Sequence, residues 1–183
     1  MLQLPASKFM EGFLNPSEVL NQLKLSGEMI AADFGSGSGG WAIPLAKRLK
    51  FGKVYAIDIL EEPLSALKGK AEAFKAYNIQ TIQADIEGKE GSKLPDLSCD
   101  LVLITNLLFQ VKDKNKILFE AKRILKKEGK ILVVDWFHEA LQGPREGRVS
   151  PDEVKKMAED LNLKLEKEFK AGVFHYGLIF TKP

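Results

Sequence analysis

Cysteine is almost missing from this chain. Cys99 is the only one in 183 residues, so neither an intramolecular disulfide nor a cysteine-based zinc cluster can form. It opens an apolar segment, where the expected role is a small core side chain rather than a nucleophile. Histidine is nearly as scarce, with only His138 and His175. No His and carboxylate set stands at ligand spacing, so no metal is expected. No apolar run approaches the roughly 20 residues that a membrane helix needs. Met1 to Leu14 lacks the basic start and continuous apolar stretch of a signal peptide, so a cytoplasmic protein without membrane insertion is expected. An excess of one charge is lacking too. The net charge of +2 gives no strong signal for nucleic acid or a lipid surface.

What is present suits one globular domain. Hydrophobic residues make up 45% and charged residues 28%, enough to build a full core. The expected organisation is a single domain over 1–183, with an N-terminal lid and helix over 1–26 and a core over 27–183. Asn15-Pro16-Ser17-Glu18 reads as a helix start, with Asn15 as cap and Pro16 at the first position. Strands are expected near 28–34, 53–58, 79–84, 100–105 and 131–136, alternating with helices near 39–49, 61–77 and 112–126. Ser150-Pro151 with Glu153 at capping-box spacing starts a last helix. Two final strands, 164–170 and 174–181, have no helix between them and should pair as a hairpin. The fold class is therefore α/β. A doubly wound, seven-stranded, mostly parallel sheet is expected, with a C-terminal antiparallel β-hairpin and helices on both faces.

The most informative run is Asp33-Phe34-Gly35-Ser36-Gly37-Ser38-Gly39-Gly40, where the first strand passes into a helix. Glycines there permit a tight turn and close approach of a ligand to main-chain N–H groups. Two templates fit. Gly35, Gly37 and Gly40 satisfy G-x-G-x-x-G, the dinucleotide fingerprint. Gly35, Gly37 and Gly39 with Asp33 satisfy (D/E)-x-G-x-G-x-G. A carboxylate just ahead of the cradle would repel a pyrophosphate but suits a ligand carrying an ammonium and a sulfonium.

With Asp33, the run resembles the nucleotide loop of class I, Rossmann-like S-adenosylmethionine-dependent methyltransferases. The resemblance covers roughly 15–183. It includes Arg123-Ile124-Leu125-Lys126-Lys127-Glu128-Gly129-Lys130, similar to a turn common near the ubiquinone and menaquinone C-methyltransferases, with Glu128 in place of a glycine. It implies S-adenosyl-L-methionine as cofactor and S-adenosyl-L-homocysteine as product. Ligands of open parallel sheets lie beyond the carboxyl ends of the strands. The cofactor-binding candidates there are Asp33, Gly35, Ser36, Gly37 and Gly39, followed by Asp58 and Ile59, Asp85 and Ile86, and Asn106 and Leu107. Asp58, 21 residues after Gly37, can accept from both ribose hydroxyls. Asp85 resembles the family's partner of the adenine amino group, and the backbone at Asn106 and Leu107 should face the methionine portion.

On the acceptor side, geometry points to Trp136, Arg148 and Tyr176, with Phe13 on the N-terminal lid. His175 and His138 are the candidate catalytic bases. The expected reaction is in-line displacement at the methyl carbon, and a small-molecule acceptor is preferred to a macromolecule. No (N/D)-P-P-(Y/F) run follows the fourth strand, unlike many enzymes that methylate exocyclic amines. The scarcity of cysteine argues against thiol-dependent arsenite methylation. Two alternatives stay open: a nicotinamide-dependent oxidoreductase using the overlapping G-x-G-x-x-G, and a non-catalytic nucleotide-binding subunit of the same fold.

Overall fold

A computed structural model describes residues 14–183. The elements in chain order are α1 (Pro16–Leu20), β1 (Ile30–Phe34), α2 (Ala42–Arg48), β2 (Lys53–Asp58), α3 (Glu61–Ala73) and β3 (Ile79–Gln83). They continue with β4 (Cys99–Thr105), α4 (Lys114–Ile124), β5 (Leu125–Trp136), α5 (Pro151–Asp160), β6 (Lys164–Lys170) and β7 (His175–Thr181). The seven strands form one sheet in the order β3-β2-β1-β4-β5-β7-β6. β1 to β5 pair in parallel, and β7 runs antiparallel to both β5 and β6. Strand order reverses between β1 and β4, so a crevice opens there at the carboxyl edge.

Alternation along each strand divides the core. Ala32, Phe34, Ile57, Val102, Ile104, Ile131 and Val133 face α4 and α5. Their neighbours Ala31, Val54, Ala56, Leu101, Leu103, Leu132 and Val134 face α1, α2 and α3. Burial on both faces explains why β4 and β5 read as nearly unbroken apolar runs. Asp113 caps α4 through Lys116 N–H, and Ser150 with Glu153 forms a complete capping box on α5.

Several boundaries differ from the sequence expectation. α1 ends at Leu20 rather than continuing towards Gly27. Its Val19 and Leu20, with Leu23 beyond it, are buried in the second cluster, and Arg48 at the end of α2 donates to Ser17 O at 2.6 Å. α1 therefore packs beside the far end of α2, and the rest of the expected lid, residues 1–13, lies outside the described residues. α2 starts at Ala42 because Gly39 has a φ of +89°, which a right-handed helix excludes. β5 begins six residues early, at Leu125. The chain turns there through Glu128 (φ +63°), and Glu128 N–H donates to Lys182 O at 2.8 Å. Among the described residues, no helix is long and apolar enough to cross a membrane.

Candidate functional site

The turn after β1 is built by three glycines in left-handed conformations: Gly35 (φ +69°), Gly37 (φ +49°) and Gly39 (φ +89°). A Cβ on Gly39 would lie 2.2 Å from Leu67 Cδ1, and one on Gly35 would lie 2.8 Å from Leu107 Cδ1. Gly40 has neither requirement, since a Cβ there meets nothing within 4 Å. The glycines that the backbone demands are those of (D/E)-x-G-x-G-x-G, and the last glycine of the dinucleotide fingerprint is dispensable.

Asp58 ties this turn to the end of β2. Its Oδ2 accepts from Gly37 N–H at 2.8 Å and its Oδ1 from Leu60 N–H at 3.0 Å. Ser36 N–H donates to Ile57 O at 3.0 Å. Above lies a cavity of about 430 Å³, within the range of small-ligand sites. Gly35, Gly37, Asp58, Ile59, Asp85, Ile86 and Leu107 from the expected set line it, joined by Pro63, Gln110 and Val111, which sequence reasoning missed. Asp33, Ser36, Gly39 and Asn106 are not part of that lining.

Asp33 is fully buried, and neither carboxylate oxygen has a hydrogen-bond partner. Burial raises its pKa to about 8 and the charge of Asp58 adds to the rise; the nearby Ala42 N–H, which does not reach hydrogen-bond geometry, opposes it weakly. Ser36 Oγ and Asn106 Oδ1 are likewise buried and unpartnered. Buried polar atoms are nearly always satisfied, so three such side chains around one turn mark a place where a ligand completes the bonding. A larger open groove of about 730 Å³ runs between the β3–β4 loop and α4. Its Arg123 is already bonded to Glu120, Asp96 and Leu94 O, which gives it a structural role.

The other half of the carboxyl edge carries Trp136 and His175, cross-strand partners in β5 and β7 with ring centroids 4.0 Å apart. His175 is buried, and both ring nitrogens lack partners. Burial, helped by the charge of Arg148, lowers its pKa to about 4, so the ring is neutral at physiological pH. His138 is exposed on the following loop.

Two expected acceptor contacts are engaged elsewhere. Arg148 donates to four carbonyls of its own loop, at His138 (2.9 Å), Ala140 (2.8 Å), Gln142 (2.6 Å) and Pro144 (2.5 Å). Its guanidinium clasps the loop instead of facing outward for an anion. Tyr176 is buried, packs edge-on to Phe137, and donates its hydroxyl to Val149 O at 3.0 Å. It is a pillar beneath the rim, because the sheet buries it and the hydroxyl needs a partner. Phe13 lies outside the described residues.

Comparison with known proteins decides the family. The Methyltransferase domain family matches residues 25–174. The chain belongs to the methyltransferase domain family.

This methyltransferase domain is similar to an S-adenosylmethionine-dependent methyltransferase from Aquifex aeolicus, with a TM-score of 0.84 at 25% identity, covering 97% of this chain and 94% of that one. It is 31% identical over 122 residues to demethylmenaquinone methyltransferase of Bacillus mycoides, covering 65% of this chain and 49% of that protein. It is 37% identical over 68 residues to a probable cobalt-precorrin-6B C(15)-methyltransferase of Methanocaldococcus jannaschii, covering 37% of this chain and 36% of that protein. The chain thus spans about half or less of the length of these curated relatives. The seven-stranded sheet with its single antiparallel strand, β7, is the fold of this family.

The site fits the family's cofactor on its own geometry. A buried carboxylate lacking a partner suits an ammonium, and Asp58 keeps a lone pair on each oxygen for hydroxyls. Asp135, also buried, was passed over by sequence reasoning. It stands one residue before the end of β5, at the same carboxyl edge as Asp58 of β2, and that position was the available signal.

Proposed function

We propose that this methyltransferase domain binds S-adenosylmethionine in the glycine-turn cavity and methylates a small, largely apolar acceptor at the Trp136–His175 rim. The observation that carries the reading is Asp33, a fully buried carboxylate without a partner beside three left-handed glycines. A cationic amino-acid moiety would supply the missing partner, and the accompanying Asn106 Oδ1 would accept from the same group. Asp58 would take the ribose hydroxyls, and Ile59 and Ile86 would sandwich the base with Asp85 at its edge. Once bound, the cofactor supplies a methyl group already activated on a sulfonium, displaced in line by the acceptor. The protein then contributes alignment and exclusion of water.

At the rim, Trp136 offers an aromatic face and His175 a neutral imidazole able to take a proton from an acceptor hydroxyl or enol. The names of the two curated relatives, a demethylmenaquinone and a cobalt-precorrin methyltransferase, favour a small-molecule acceptor. His175 is the base candidate, with His138 second.

Thermal unfolding with S-adenosylhomocysteine, S-adenosylmethionine or NADH tests the donor. A ligand at 100 times its dissociation constant adds about 2.7 kcal/mol, a rise of several degrees for a domain of this size. The adenosyl compounds alone should produce it. A shift with NADH and none with the adenosyl compounds overturns the reading.

A further inference from the structure

Asp135 sits fully buried at the carboxyl end of β5, and nothing in the proposed reaction uses it. Its Oδ2 accepts from Leu108 N–H at 2.9 Å, and its Oδ1 accepts from its neighbour Trp136 N–H at 2.8 Å. Leu108 follows Leu107, which lines the donor cavity, and Trp136 stacks on His175 at the rim. One carboxylate therefore joins the two halves of the site. The joined loop is itself constrained: Asn106 is held at φ +50° and donates its N–H to Val134 O at 2.8 Å.

Burial makes a carboxylate an expensive choice at this position. It raises the pKa to about 6, while the N–H groups of Trp136, Leu108 and Phe109 and the charge of Lys114 pull it back. Lys114 faces it from the start of α4, Tyr176 faces it from β7, and Glu153 of α5 stands beyond Tyr176. A carboxylate has two acceptor oxygens and satisfies both N–H donors at once. An asparagine would turn an NH2 group towards one of them.

We propose that Asp135 is a positioning residue whose ionised carboxylate fixes the Asn106–Leu108 loop and Trp136 to each other, so that donor cavity and acceptor rim form one unit. The functional half of this inference rests on the donor reading above; the structural half does not.

The test uses the full chain, wild type and Asp135→Asn. Hydrogen–deuterium exchange without ligand should show the Leu108 and Trp136 amides exchanging at least about tenfold faster in the variant, with Val54 and Ala56 of β2 unchanged. Isothermal titration with S-adenosylhomocysteine should show affinity about tenfold lower at pH 7.5. That gap should narrow at pH 5.5, where the wild-type carboxyl also carries a proton. Asp33 is present in both proteins, so its own titration affects both alike and cancels from the ratio. Should the variant fail to fold, wild type alone decides: Leu108 exchange, corrected for intrinsic rate, should accelerate below pH 6. Unchanged exchange at Leu108 and Trp136 overturns the proposal, and so does an affinity gap of equal size at both pH values. If neither protein binds S-adenosylhomocysteine, the donor reading fails, and the exchange result alone decides the role of Asp135.

Discussion

Replacing Asp33 with asparagine should stabilise the protein without ligand and cripple ligand binding. In the folded protein the carboxyl pKa is raised from 3.8 to about 8 by burial, with the Asp58 charge adding. Above pH 4 the unfolded chain releases this proton while the folded protein keeps it, so stability declines as pH rises towards 8 and is level beyond. At about 1.4 kcal/mol per pH unit, the burden at pH 7.5 is on the order of 5 kcal/mol. An amide in its place removes the charge but still leaves polar atoms unpaired, at about 1–3 kcal/mol. The net gain is about 3 kcal/mol, or about 6–12 °C in Tm for this chain length. Loss of a charged partner for the ligand's ammonium costs about 1.5–3 kcal/mol, an affinity loss of roughly 10–150-fold. Urea unfolding between pH 5 and 9 reads the first effect and titration with S-adenosylhomocysteine the second. A variant less stable than wild type at pH 8, or one that binds within threefold of it, would refute the reasoning.

Gly39→Ala should destabilise by about 2–4 kcal/mol, combining left-handed strain with the approach to Leu67 Cδ1. Gly40→Ala should stay within about 0.5 kcal/mol, and equal losses in urea would remove the distinction between the two glycine templates. Glu128→Gly relieves a non-glycine residue held at φ +63°, so it should raise stability by about 0.5–1 kcal/mol. A drop in the urea midpoint would mean the Glu128 side chain contributes more than its backbone strain costs.

The glycine-turn half of the candidate site was legible because its determinants are local. Asp33 and Asp58 each follow an apolar run and Asp85 follows the mixed Ile79–Ala84 strand segment, and counting to the end of each segment places the acid at the carboxyl edge. The glycine turn declares itself by composition. The acceptor half was less readable because its bonds are made to distant main-chain atoms, which leave no trace in residue type. Nothing in the segment around Arg148 announces four carbonyl partners, and nothing around Tyr176 announces Val149 O. The seat of α1 was unreadable for a related reason. An apolar helix face goes wherever an open apolar surface lies, and here that surface was α2. The early start of β5 was hidden because its first residues, Leu125 to Gly129, gain strand geometry only from Cys99 and Lys182, 26 and more residues away in the chain.

The clasp made by Arg148 has a consequence for how such a loop can change over generations. Carbonyl oxygens are the same in every residue, so a path fixed by one guanidinium gripping four of them is indifferent to most side chains it carries. Leu141, Gln142, Arg145 and Glu146 are all exposed and can mutate without redirecting the chain. The exceptions are Gly143 and Gly147, where a Cβ would strike the Trp136 ring at 2.5 Å and Phe109 O at 2.0 Å. Diversity can therefore accumulate on this loop at little structural risk, with Arg148 and the two glycines as the invariable hinge pins of an otherwise improvisable surface.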